Sequence, residues 1–212
     1  MTAAGLHVYV IDDDPDVRKS LHFLLATSAI RSWPFVGGQD FIDQLSELAP
    51  APVLLDVRMP GIDGFGVMGE LAARGLGWPV ITMTAHGDVP VAVRAMKLGA
   101  IEFIEKPFAA EDLEVAVRRG FAVLEEDQHL RRRESEARHR LDTLSPRERQ
   151  VIHELVKGVP NKVAAHLFGL STRTIEMHRA SAMTKLGLKS LAEVAMLIST
   201  AGLLPPSSSA SS

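Results

Sequence analysis

A chain of 212 residues suits one domain of ordinary size and a smaller second one, against a typical domain of about 150 residues. With 46% apolar and 23% charged residues it is not a mainly disordered chain, and with no cysteine it has no disulfides, thiolate metal sites or cysteine nucleophiles. The net charge of −3 hides an asymmetry: residues 1–125 hold 10 Lys/Arg against 17 Asp/Glu, residues 126–142 five of each, and residues 143–212 eight against four. An acidic body carries a basic end. Residues 1–5 show no basic segment leading into an apolar core, and the uncharged stretch from residue 194 dissolves into Pro and Ser. Neither export nor a membrane span is expected, and a cytoplasmic location fits.

Short apolar runs at 6–11, 32–36, 53–55, 80–83 and 101–104 read as strands, the second weakened by Trp33-Pro34. Between and after them, 15–29, 39–48, 65–74, 89–98 and 111–124 carry apolar residues at helical spacing, and Asp14 before Pro15 marks a helix start. Alternating strands and helices predict an α/β domain over 1–125: a parallel five-stranded sheet covered on both faces. Residues 126–142 are charged, without an apolar face wide enough for a core, and read as a helical linker. Four short helices follow, at 146–157, 162–168, 172–186 and 190–201, giving a small all-α domain over 143–204. The Ser-rich tail at 205–212 is expected to be disordered.

In a parallel sheet of this kind, ligands bind beyond the carboxyl ends of the strands. The residues there are Asp12-Asp13, Asp56, Thr84 and Lys106 before Pro107. Carboxylates brought together repel one another unless a cation sits among them, and Mg2+ suits oxygen ligands at about 2.1 Å. A carboxylate beside it can accept a phosphoryl group, with Lys106 and the Thr84 hydroxyl offsetting the developing charge. The alternative is that Asp12-Asp13-Asp14-Pro15 only caps a helix and Asp56 only forms a turn, which leaves the lysine and threonine unexplained. Gly64-Phe65-Gly66-Val67-Met68-Gly69 spells a dinucleotide-binding fingerprint, but a loop separates it from its strand. Its glycines are read instead as letting a flexible loop enter a poorly packed helix.

Asp12-Asp13, Asp56 with Met59-Pro60-Gly61, Thr84-Ala85 and Lys106-Pro107 together resemble the receiver domain of two-component response regulators, over about residues 5–125. That resemblance implies a flavodoxin-like, doubly wound sheet and phosphorylation of Asp56 by a sensor histidine kinase. It further implies Mg2+ held directly by Asp13 and Asp56, through water by Asp12, and by the backbone carbonyl of Arg58. Lys106 would hold the acyl phosphate, Thr84 would swing toward it, and Phe103 stands where the family has a switch aromatic, although plain core packing also explains that ring. His86 borders this region without a catalytic role.

The basic end opens on Ser145-Pro146-Arg147-Glu148, a capped helix start. Asn161 is read as capping residues 162–168, Gly169-Leu170-Ser171 as the turn, and 172–186 as the second helix of a helix-turn-helix. On a helical wheel Ile175, Ala182 and Leu186 point inward, while Arg173, Met177, Ala180, Ser181 and Thr184 point outward. Glu176 and His178 fall on the flanks. Lys162, Arg173, Thr174, His178 and Lys185 can reach DNA phosphates, and Arg179 must snorkel past the core edge. This half resembles the helix-turn-helix output domain of the LuxR and FixJ class, through Leu144-Ser145-Pro146-Arg147-Glu148, Asn161-Lys162, Thr174-Ile175-Glu176-Met177-His178-Arg179 and Lys185-Leu186. The resemblance places Glu176 and Met177 at base-reading positions.

The function implied is a transcriptional response regulator, not an enzyme. It binds double-stranded promoter DNA and forms a homodimer on phosphorylation through a surface at about residues 89–108, with RNA polymerase as a further candidate partner. Three rivals remain: a Mg2+-dependent phosphatase with an aspartyl intermediate, a constitutive adaptor that never takes phosphate, and a basic module that docks proteins rather than DNA.

Overall fold

The computed structural model describes residues 5–85 and 89–203, and divides into two compact units between Asp127 and Gln128. The tail at 205–212, Leu204 and His86 lie outside the described residues.

The first unit alternates β1 (His7–Ile11), α1 (Pro15–Thr27), β2 (Arg31–Phe35), α2 (Gly38–Gln44), β3 (Val53–Asp56), α3 (Gly64–Ala73), β4 (Val80–Thr84), α4 (Val89–Lys97), β5 (Ala100–Glu105) and the start of α5 (Ala110–Asp142). All five strands are parallel, in the order β2-β1-β3-β4-β5, the flavodoxin-like arrangement. Successive side chains of a strand point to opposite faces, and both faces are apolar because both are covered. Val8, Val10, Leu54, Ile81 and Met83 pack with Leu21 and Leu25 of α1 and Leu113, Ala116 and Val117 of α5. Tyr9, Ile11, Val53 and Leu55 pack on the other side with Phe41 of α2, Phe65, Val67 and Leu71 of α3, and Ala95 of α4. Arg94 of α4 also stacks its guanidinium 4.0 Å from the centroid of Phe65, tying α4 to α3.

Trp33-Pro34 does not break β2, because β2 is an edge strand and needs only one side of its ladder. Asp14 caps α1, its carboxylate accepting from the backbone N–H groups of Asp16 and Val17. The glycines before and within α3 serve differently from expectation. Gly64 sits so close to β3 that a Cβ there would lie 2.5 Å from the Asp56 carbonyl oxygen and 2.9 Å from Val57 Cα. The helix is well packed, with Phe65, Val67, Met68 and Leu71 buried, so Gly64 permits close approach rather than looseness.

The second unit contains the end of α5, then α6 (Pro146–Val156), α7 (Asn161–Phe168), α8 (Thr172–Leu186) and α9 (Leu191–Thr200). Residues 126–142 are helical as expected but form no separate linker. They continue α5, and Ala137 and Leu141 are buried with Ile152, Ala182, Leu186 and Val194. Arg138 donates to the Ala201 carbonyl and Arg140 to that of Leu186, which satisfies groups left open at the ends of α9 and α8.

The capping box of α6 forms as read: Ser145 Oγ accepts from the Glu148 N–H, and Glu148 Oε2 accepts from the Ser145 N–H. Asn161 is not a cap. The Pro160 carbonyl already accepts from Val163 and Ala164, so α7 starts one residue earlier and Asn161 is its first helical residue. Gly169, at φ 64°, closes α7 in the left-handed region, and Ser171 caps α8.

Candidate functional site

Parallel pairing of β1, β3 and β4 brings the ends of those strands to one rim, and β5 delivers Lys106 beside them. Asp12 is 1% exposed and Asp56 6% exposed. The Lys106 ammonium joins them, donating to Asp12 Oδ2 at 2.6 Å and to Asp56 Oδ1 at 2.5 Å. The other oxygen of each carboxylate is also fixed: Asp12 Oδ1 accepts from the Asp14 N–H at 3.0 Å, and Asp56 Oδ2 from the Arg58 N–H at 2.7 Å. Arg18 donates to the Asp12 carbonyl, which anchors the start of α1 to the same loop. Burial pushes the Asp12 carboxyl above its ordinary value, and the Lys106 ammonium pulls it only partway back. For Lys106, burial alone would favour the neutral amine, yet the two carboxylates outweigh it and hold its pKa above the usual lysine value.

The structure brings together Asp12, Asp56 and Lys106. Thr84 is buried at the end of β4, and its carbonyl accepts from the Lys106 N–H at 2.7 Å. Asp13 and Arg58 are exposed at the rim, and Phe103 is half-buried on β5 against the α2–α3–α4 side of the core. The expected gathering of three carboxylates is not present as such: among the described residues no three His, Cys, Asp or Glu form a group able to hold a metal ion. The donor chemistry nevertheless suits a hard divalent cation. Two buried carboxylates share a single ammonium, which leaves a surplus negative charge carried entirely by oxygen. A cavity of about 500 Å3 opens alongside, lined by Val57, Arg58, Met59, Pro60, Asp63, Phe65 and Val91.

On α8, Ile175, Ala182 and Leu186 are buried, as the wheel predicts. Met177 is 64% exposed, and Arg173, Glu176, Ala180 and Thr184 are exposed, as is Lys162 on α7. Thr174, His178 and Arg179 are half-buried, and the Thr174 hydroxyl shares a 2.8 Å hydrogen bond with Ser171. Ser181 and Lys185 are exposed as well, yet both are tied to α6: Ser181 Oγ donates to Glu148 Oε1 and Lys185 Nζ to Glu148 Oε2, both at 2.7 Å. In the sequence Glu148 reads only as the cap residue of α6. Its second set of partners lies 33 and 37 positions away, where no local pattern reports.

Residues 8–118 match the family described as response regulator receiver domain, and residues 142–198 match bacterial regulatory proteins of the luxR family. The chain is 42% identical to the transcriptional regulatory protein FixJ of Bradyrhizobium diazoefficiens, over 96% of this chain and 99% of that protein. It is 44% identical to the protein of the same name from Azorhizobium caulinodans, over 95% of each. Among solved structures, that of response regulator StyR superimposes with a TM-score of 0.78 at 35% identity, covering 92% of this chain and 99% of that one. Among the described residues no helix is long and apolar enough to cross a membrane.

Proposed function

The chain belongs to the two-component response regulators with a LuxR-type DNA-binding domain, a family of transcriptional regulators, and from that premise we propose that phosphorylation of Asp56 by a sensor histidine kinase switches it into a DNA-binding homodimer. The observation that carries this reading is the bridge from Lys106 to Asp12 and Asp56. A nucleophilic carboxylate oxygen stands beside a fixed positive charge that can follow the phosphoryl group once it arrives.

In the transfer, one oxygen of Asp56 attacks phosphorus. The bond from phosphorus to the kinase histidine nitrogen breaks, that nitrogen keeps the electron pair, and an acyl phosphate remains. Lys106 then pairs with a phosphoryl oxygen instead of the Asp56 carboxylate. Thr84, at the end of the neighbouring strand, is the hydroxyl that turns toward the phosphate, and Phe103 is the ring that repacks. Phe103 is only half-buried where it packs on the α2–α3–α4 side of the sheet, which supports its freedom to repack. Asp12, Asp13, Asp56 and the Arg58 carbonyl are the oxygen donors that would hold Mg2+, which when bound offsets negative charge on the phosphoryl oxygens.

Exposed Val89, Val93, Met96 and Leu98 form an apolar edge on and just after α4, which supports the dimer surface proposed at residues 89–108. On α8, Glu176 and Met177 are proposed to read bases, while Arg173, Thr174, His178, Arg179 and Lys162 of α7 meet the backbone of promoter DNA. RNA polymerase is the proposed downstream partner, and the cytoplasm, where promoter DNA is met, the proposed location. Sedimentation and DNA titration with and without acetyl phosphate and Mg2+ test the reading. Phosphorylation should convert monomer to dimer and tighten DNA binding by at least about tenfold through bivalency. Unchanged mass and affinity would refute it.

A further inference from the structure

Among the described residues of the second unit, Glu148, 4% exposed, is the one buried charged side chain. A carboxylate withdrawn from water is tolerated only when paired and hydrogen-bonded, so its partners reveal what it is for. One is the Ser145 N–H of its own helix start, at 2.7 Å. The other two, Ser181 and Lys185, both belong to α8 and stand one turn apart on the same side of it. The apolar stripe of Ile175, Ala182 and Leu186 decides which side of α8 faces the core. Apolar contacts are not directional, however, and leave the helix free to rotate or slide by small amounts. Two hydrogen bonds donated from successive turns of α8 to one rigidly held carboxylate remove that freedom. The α6 capping box and buried Val151, Ile152 and Leu155 hold Glu148 itself in place.

We propose that Glu148 positions the DNA-reading helix, and that Lys185 is the structural cation through which it does so, withheld from the DNA backbone rather than serving as a phosphate contact. The proposal rests on α8 being the DNA-facing helix. Lys185 then contributes to DNA binding only by orienting Arg173, Glu176 and Met177, which share its helix. The same holds for Ser181, whose hydroxyl is turned to Glu148 rather than offered to the groove.

The test uses the full chain and a short duplex selected by the wild-type protein from a random-sequence pool, titrated over a range of KCl concentrations. The variants are Glu148→Gln, Lys185→Met, their double, and Arg173→Met. Gln is accepted at the third position of a capping box, so Glu148→Gln keeps the start of α6. Glu148→Gln and Lys185→Met should each weaken binding by about tenfold, and the double should be no worse than the weaker single. In both singles the slope of log affinity against log salt should stay at its wild-type value, whereas Arg173→Met should lower it by about 0.9, the loss of one phosphate contact.

Amide exchange without DNA provides a second measurement: both singles should exchange faster along α8 while their circular dichroism stays wild-type. A slope lowered by about 0.9 in Lys185→Met, with Glu148→Gln silent, would overturn the proposal. Unchanged α8 exchange in both singles would do the same. If the wild-type chain selects no duplex, the DNA-reading premise fails, and the exchange measurement alone decides whether Glu148 holds α8.

Discussion

Lys106 Nζ lies 2.5 Å from Asp56 Oδ1, across 50 positions of sequence. Neither residue is fully stable alone in that place: the ammonium needs a counter-charge, and the carboxylate needs a partner once buried. Replacing Lys106 with Met leaves Asp12 and Asp56 facing each other with their shared cation gone. Stability in urea without divalent ions should fall by about 3 kcal/mol, and adding Asp12→Asn to the same chain should recover part of the loss. A neutral Lys106→Met would mean the bridge contributes nothing to the fold.

Gly64 gives a second prediction. A methyl group at this position meets the backbone of Asp56 and Val57 rather than a movable side chain. Gly64→Ala should cost about 1–3 kcal/mol and slow phosphorylation, because relief of the clash must push α3 away from the strand that carries Asp56. Wild-type stability and phosphorylation rate in that variant would show that the contact yields easily.

The pH dependence of the second unit follows from Glu148. The Lys185 ammonium, aided by Ser181 and Ser145, lowers its carboxyl from 4.5 to about 2. A depressed carboxyl stabilises the folded state above its unfolded value and loses that contribution as acid protonates it. Stability should therefore decline between 4.5 and about 2, and Glu148→Gln should flatten this part of the profile in chemical denaturation.

Truncation tests where the second unit begins. A fragment of residues 143–203 omits Ala137, Leu141, Arg138 and Arg140, which fill its core and close the ends of α8 and α9. It should be less stable than residues 128–203 by about 3 kcal/mol, from the buried Leu141 and Ala137 side chains alone. Equal stability would return residues 128–142 to the role of a simple linker.

Much of the fold was legible because its signals are local. Five apolar strand runs, the Asp14-Pro15 start, the Ser145–Glu148 capping box and the inward stripe of α8 are each written within a few neighbouring residues. Asp12, Asp56, Thr84 and Lys106 stood out because a parallel sheet collects the residues that end its strands. What escaped depended on distant partners. Ala137 and Leu141 form an apolar strip only one turn long among charged residues, too narrow for periodicity to register until α6, α8 and α9 supply the rest of the core. Gly64 looked like slack because sequence does not show how near β3 passes. Asn161 looked like a cap because its type favours one, but the Pro160 carbonyl had already opened the helix. Ser181 is exposed as the wheel predicts, but a wheel has no way to show that it and Lys185 also bond to a buried acid on another helix.

Every step of the proposed switch depends on covalent chemistry at Asp56. Intact mass after incubation with acetyl phosphate and Mg2+ should show one phosphoryl group added to the wild-type chain and none to Asp56→Asn. An unmodified wild-type chain, or an equally modified Asp56→Asn, would contradict it.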